Sequence, residues 1–139
     1  MLGGRWITHL IDANIFLEIE LKQERHQNCE AYLRKVRDGE IDAITTNFIV
    51  DTVSILMDET GCDPAEIRIF NLSLLKYKGL SVYDLTTTDR VVATQHMKRF
   101  KLNFDDATAY AAMRSTGITE IVSMDKHFDK IPNIKRIEP

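Results

Sequence analysis

The stretch "THLIDANIFLE", Thr8 to Glu18, joins two patterns with almost no linker between them. "WITHLID" (6–12) reads as a buried strand, and "NIFLEIELK" (14–22) carries its apolar residues at helical spacing. A strand running straight into a helix opens a β–α unit. Asp12 falls where the strand ends. Behind His9, Leu10 and Ile11, an unpaired carboxylate is costly, so Asp12 needs a partner, a cation or a chemical task.

The same alternation continues outward. From Glu24 to Arg37, Cys29, Tyr32, Leu33 and Val36 fall on one helical face. "IDAITT" (41–46) is a second short strand, and Asn47 to Thr60 a helix with an Ile49, Val53, Leu56 and Met57 stripe. Gly61 suits a left-handed helix end. Asp63, Pro64 and Glu66 then spell an N-cap, a first-turn proline and a capping box. Cys62 is placed to staple on Ile67, and this helix is expected to reach Lys78 and stop at Gly79. "LSVYDL" (80–85) is a third strand. The threonines 86–88 cap a helix from Asp89 to Phe100, and "LNFDDATAYAAMRSTG" (102–117) is another, with Asn103 as cap and Gly117 as stop. "EIVSMD" (120–125) is a fourth strand, "KHFDKI" (126–131) a short helical turn and "IKRIE" (134–138) a fifth strand at the edge.

Strands alternating with helices imply right-handed crossovers and a mainly parallel sheet. The expected fold is a three-layer α/β/α sandwich with four to five strands, one domain over residues 1–139. That length suits a single buried core, and 44% hydrophobic with 28% charged residues is a globular composition. No apolar run approaches the roughly 20 residues of a membrane helix. The opening "MLGGRWITHLIDANIFL" has a basic residue before an apolar run, but Asp12, Asn14 and Glu18 interrupt it and no small-residue cleavage site follows. The expected location is cytoplasmic. Cys29 and Cys62 form no CxxC pair and read as reduced packing thiols. His9, His26, His96 and His127 lack zinc spacing, and no metal role is assigned to them. A net charge of −3 does not advertise nucleic-acid binding, so such a function must rest on local sites.

In an open parallel sheet, ligands bind outside the carboxyl ends of the strands. Asp12 ends strand one and Asp125 ends strand four. Asp105 and Asp106 begin a helix, and Asp51 lies early in the helix after strand two. Acids from four segments therefore gather on one rim. Each has a plainer use: Asp105 and Asp106 favour a helix dipole by about 0.3–1 kcal/mol, and Asp125 suits a turn. Together, however, converging carboxylates repel unless cations lie between them. Hard oxygen donors without thiolates point to Mg²⁺ or Mn²⁺. Such ions activate water near neutral pH and offset charge on a phosphodiester.

Four blocks, "IDANIFLE", "TTNFIVDTVSIL", "LNFDDATAYAAM" and "IVSMDKHFDKI", resemble in order and spacing those of the PIN-domain nucleases, most closely the VapC-type toxin ribonucleases. The resemblance spans nearly the whole chain, and the last block, against a T/S-x-D-x-x-F-D pattern, is the most telling. It implies a metal-dependent endoribonuclease acting on RNA with Mg²⁺ or Mn²⁺, a homodimer, and a small antitoxin protein as partner. Carried over by position, Asp12, Asp106 and Asp125 bind metal, Asp129 is a further acid, and Asn14 and Ser123 orient carboxylates or water. Asp105 supports Asp106. The second block departs from the family, which usually has a glutamate there. This chain has Asp51 and Thr52, and Asp51 is the candidate to take that place.

Arg90, Lys98, Arg99, Lys101 and Lys126 are the candidate phosphate contacts, each better explained as a solvated surface charge. Trp6, Phe16, Tyr83 and Phe104 read as core or interface aromatics. Two other readings stay open. One is a catalytically silent PIN domain that binds RNA or protein, motivated by the second block. The other is a phospho-aspartate enzyme, which would want a second aspartate where Asn14 stands.

Overall fold

A computed structural model of the chain describes residues 9–139. Trp6 and the start of the expected first strand lie outside the described residues. The elements run β1 (His9–Ile11), α1 (Ala13–Glu20), α2 (His26–Arg37), β2 (Ala43–Thr46), α3 (Asn47–Glu59), α4 (Pro64–Leu74), β3 (Leu80–Tyr83), α5 (Thr87–Phe100), α6 (Phe104–Thr116), β4 (Glu120–Val122) and β5 (Lys135–Ile137). A short 3₁₀ turn, Lys126–Lys130, precedes β5.

The five strands form one sheet in the order β3-β2-β1-β4-β5, and each neighbouring pair is parallel. Right-handed crossovers decide the layers. The chain moves outward from β1 through β2 to β3, which puts α1 to α4 on one face. It then crosses back to β4 on the other side of β1, which puts α5 and α6 on the opposite face. The helix contacts agree: α1 packs on α2 and α3, α3 on α4, and α5 on α6. The direction of winding therefore reverses between β1 and β4, where Ile11 is in register with Val122. Open sheets place ligands at such a switch point.

The core residues are those of the apolar stripes. Leu10, Ile11, Ile121 and Val122 are fully buried on the central strands, and Cys29, Val36, Val53 and Met57 are fully buried beneath the helices. Cys62 and Ile67 pack at the core margin, a place for the thiol without chemistry. The capping box of Asp63 and Glu66 forms as read, with proline at the first helical position, and Thr86 and Asp89 form another.

One boundary differs. The helix α4 ends at Leu74, not Lys78. Main-chain bonds from Lys78 N to Arg37 O and Gly79 N to Val36 O draw the chain to the end of α2 instead. Gly79 therefore serves a close approach. A Cβ there would lie 2.1 Å from the Ile41 carbonyl oxygen and 2.8 Å from that of Val36. Gly61 does take the left-handed conformation read for it, at φ 91°.

Candidate metal centre

Asp12 is the first residue after β1 and the N-cap of α1. Its backbone N–H donates to Val122 O at 3.0 Å, so the strand pairing itself sets its position. Its Oδ1 accepts from Ala13 N at 2.9 Å. Its Oδ2 accepts from Ser123 Oγ at 2.6 Å and from Asn14 Nδ2 at 3.2 Å. Asn14 also ties the two strand ends together: its Nδ2 reaches Ser123 Oγ at 3.2 Å and its Oδ1 accepts from Met124 N at 3.0 Å. Ser123 Oγ in turn accepts from Asp125 N at 2.9 Å. Asn14 and Ser123 are thus the orienting pair between the first and last blocks.

Asp106 enters from the opposite layer, in the first turn of α6, and is only 5% exposed. Asp105 beside it is exposed and accepts from Asp106 N at 2.9 Å. Burial pushes the Asp106 carboxyl up to about 7, and the charges of Asp105, Asp125 and Asp12 add to the rise. Burial likewise pushes Asp12 up to about 6, against the Ser123 and Ala13 hydrogen bonds, with Asp125 and Asp105 contributing repulsion. The carboxylates of four positions therefore feel one another's charge. Among the described residues, no lysine or arginine forms an ion pair with Asp12, Asp105, Asp106 or Asp125.

Between Asp106 and Asp125 lies His127, which sequence reasoning missed. Its Nδ1 is 3.0 Å from Asp125 Oδ1 and 3.2 Å from Asp106 Oδ2. Donor atoms of Asp106, Asp125 and His127 all lie within 4.8 Å of one another. The motif D-K-H carries the signal: Asp125 caps the 3₁₀ turn by accepting from His127 N at 2.8 Å, and the turn brings the ring back over the acid. Searching for zinc spacing along a helix does not find it.

Two expected acids do not join. Asp51 is exposed on α3 and is not among the main charges acting on Asp12 or Asp106. The inward stripe of that helix is Ile49, Val50, Val53 and Met57. Residue 51 lies about 200° around from residue 49 at helical geometry. Thr52, half-buried, spends its hydroxyl on Phe48 O at 2.8 Å. Asp129 is bound by Arg136, whose Nε lies 2.9 Å from its Oδ1. That guanidinium holds the Asp129 carboxyl below its usual range. Arg136 also donates to Ser123 O at 3.1 Å, so Asp129 and Arg136 brace the strand end from outside.

Of the basic candidates, Arg90 is occupied by Leu85 O at 2.6 Å, and Arg99 lies over the Phe100 ring at 5.0 Å. Lys98, Lys101 and Lys126 are exposed, and Lys130 Nζ reaches Lys101 O, joining the end of α5 to the 3₁₀ turn. Phe16 is core, whereas Phe104 is 36% exposed and packs edge-on against Phe48.

The profile of the family described as PIN domain matches residues 9–134. The chain belongs to the PIN-domain family. Solved structures share its fold. VapC20 of Mycobacterium tuberculosis, described as a sarcin-ricin loop cleaving toxin, superposes with a TM-score of 0.72 at 18% identity, covering 88% of this chain and 93% of that one. VapBC2 of Rickettsia felis, bound to a DNA fragment from its promoter, gives 0.72 at 9% identity, covering 95% and 98%. A toxin–antitoxin complex from Klebsiella pneumoniae gives 0.68 at 14% identity, covering 91% and 95%. No curated protein matches the sequence. No helix of the described residues is long and apolar enough to cross a membrane.

The donor set of this PIN domain fits a divalent cation. It offers carboxylate oxygens and one imidazole nitrogen, without thiolates, and among the described residues its negative charge has no lysine or arginine counter-ion. Asp106, Asp125 and His127 carry donor atoms close enough to share one ion, and Asp12 is tied to Asp125 through Ser123 Oγ.

Proposed function

We propose that this PIN domain is a divalent-metal-dependent endoribonuclease, the toxin partner of a toxin–antitoxin pair, working with Mg²⁺ or Mn²⁺. One observation carries the reading: three carboxylates from separate segments, Asp12, Asp106 and Asp125, feel one another's charge at the switch point of the sheet, with no lysine or arginine among the described residues paired to them. Structural neighbours that are toxin–antitoxin complexes support the antitoxin partner.

A bound divalent ion supplies Lewis acidity, which activates water near neutral pH and offsets charge on the phosphodiester oxygens. The protein's part is to hold and orient. Ser123 and Asn14 fix Oδ2 of Asp12. Burial keeps the Asp106 carboxyl in a weakly solvated place, where its charge acts strongly on a cation. Asp105, exposed at the rim, adds negative potential. Exposed Lys98, Lys101 and Lys126 are the residues left for phosphate, and contacts of that kind make affinity fall with salt. Replacing Asp12 by Asn is expected to abolish Mn²⁺-dependent RNA cleavage with the circular dichroism spectrum unchanged. Full activity in that variant defeats the reading.

A silent PIN domain that binds RNA or protein is the second reading. The exposure of Asp51 and the presence of Thr52 in place of an acid favour it. Calorimetric titration separates the two, because the silent form takes up no Mg²⁺ or Mn²⁺ at millimolar concentration.

A further inference from the structure

We propose that His127 is itself a ligand of the cation in this centre, through Nδ1, and that it biases the site toward Mn²⁺ and later transition ions over Mg²⁺. The inference rests on the metal-site reading above and deepens it. Nδ1 stands 3.0 Å from Asp125 Oδ1 and 3.2 Å from Asp106 Oδ2. Adjacent donors around a small six-coordinate ion with bonds of about 2.1 Å are about 3.0 Å apart. Nδ1 thus stands at neighbouring-donor spacing from both carboxylates, and donor atoms of all three side chains lie within 4.8 Å of one another. A single Nδ1 hydrogen, by contrast, serves two acceptors poorly.

The local chain holds the ring there. Asp125 Oδ1 accepts from the His127 backbone N–H at 2.8 Å, and Phe128, 1% exposed, anchors the same turn in the core. The His127 side chain is 54% exposed, so ring, ion and water all have room. Mg²⁺ prefers oxygen ligands, whereas a nitrogen donor gains affinity along the series from Mn²⁺ through Co²⁺ and Ni²⁺. The opposite role for the same ring is an internal counter-ion that occupies the cation's place. The two roles differ in sign when the ring is removed.

The test uses the full chain, stripped of metal by a chelator, with Mg²⁺, Mn²⁺ and Co²⁺ titrated by calorimetry and bound Mn²⁺ examined by pulsed electron paramagnetic resonance. The wild type is expected to show ¹⁴N coupling to Mn²⁺ and to bind Mn²⁺ more tightly than Mg²⁺. In His127→Ala the nitrogen coupling disappears and Mn²⁺ and Co²⁺ affinity falls roughly tenfold or more, with Mg²⁺ affinity falling by a smaller factor. Absence of nitrogen coupling in Mn²⁺-loaded wild type, or tighter Mn²⁺ binding by His127→Ala, overturns the assignment. If the wild type cleaves RNA with Mn²⁺ yet shows no nitrogen coupling, only His127 loses its role. If it binds none of the ions, the nuclease reading falls with it.

Discussion

Ser123 Oγ donates to Asp12 Oδ2 at 2.6 Å, joining the ends of two adjacent parallel strands that lie far apart in sequence. The same oxygen receives the backbone N–H of Asp125. One hydroxyl therefore orients the first acid of the centre and fixes the loop that carries the last.

Replacing Ser123 by Ala removes a bond that holds the Asp12 carboxyl down. The Asp12 pKa is expected to rise further above its ordinary value, and metal affinity to fall roughly 10- to 100-fold, as for other groups that orient metal ligands. Carboxyl ¹³C titration follows the first effect, and Mn²⁺ calorimetry the second. An unchanged Mn²⁺ affinity would show that the orientation of Asp12 is immaterial.

The pH dependence has a definite sign. Asp12 and Asp106 are raised in the folded state, to about 6 and about 7 from an ordinary 3.8. Their contribution is therefore fully present when both are protonated, below about pH 4. It is lost as pH rises through 6 to 7. Metal-free protein is expected to melt at a lower temperature at pH 8 than at pH 5.5. Millimolar Mn²⁺ should reverse that order, because it binds the deprotonated acids. Calorimetric scans at the two pH values, with and without Mn²⁺, check both halves.

Asp51→Ala is expected to leave Mn²⁺ affinity and RNA cleavage within about twofold, as for an exposed side chain that touches no functional group. A large loss on either measure would put Asp51 back among the acids of the centre.

Arg136 binds Asp129, Glu138 and the Ser123 carbonyl with its side chain only 13% exposed. Its replacement by Ala should cost about 1–3 kcal/mol in urea unfolding, through hydrogen bonds to charged and carbonyl partners. Asp129→Asn, which leaves the Ser123 contact in place, should not change Mn²⁺ affinity. An Asp129→Asn variant unable to bind Mn²⁺ would make that acid a ligand.

Gly79→Ala forces a Cβ against the carbonyl oxygens of Ile41 and Val36. Since both are backbone, relief needs main-chain movement, and a loss of roughly 2–3 kcal/mol is expected. Equilibrium urea denaturation measures it.

The winding and the caps were legible because they are local. Asp63, Pro64 and Glu66 determine a helix start without reference to the rest of the chain, and the alternation of short apolar runs with helical stripes suffices for a parallel sheet. The end of α4 was not legible, since it is decided by the bonds of Lys78 and Gly79 to Arg37 and Val36, more than forty residues before them. For the acids, position along the chain located a rim but not a direction. Asp12 and Asp106 point inward because strand end and helix start are fixed by their neighbours. Asp51, one turn into its helix, is turned outward by the stripe that buries Val50 and Val53. Asp129 lay within reach by spacing, but the deciding partner, Arg136, is on another element. His127 is visible only once the turn after Asp125 is folded.

Because β4 inserts beside the first strand rather than beyond the third, the acidic hollow has no partial form during synthesis. A growing polypeptide holds Asp12 well before Asp106 and then Asp125, which lie more than ninety residues further along. The centre therefore closes only once both halves of the sheet have been made and the later half has docked against the earlier one.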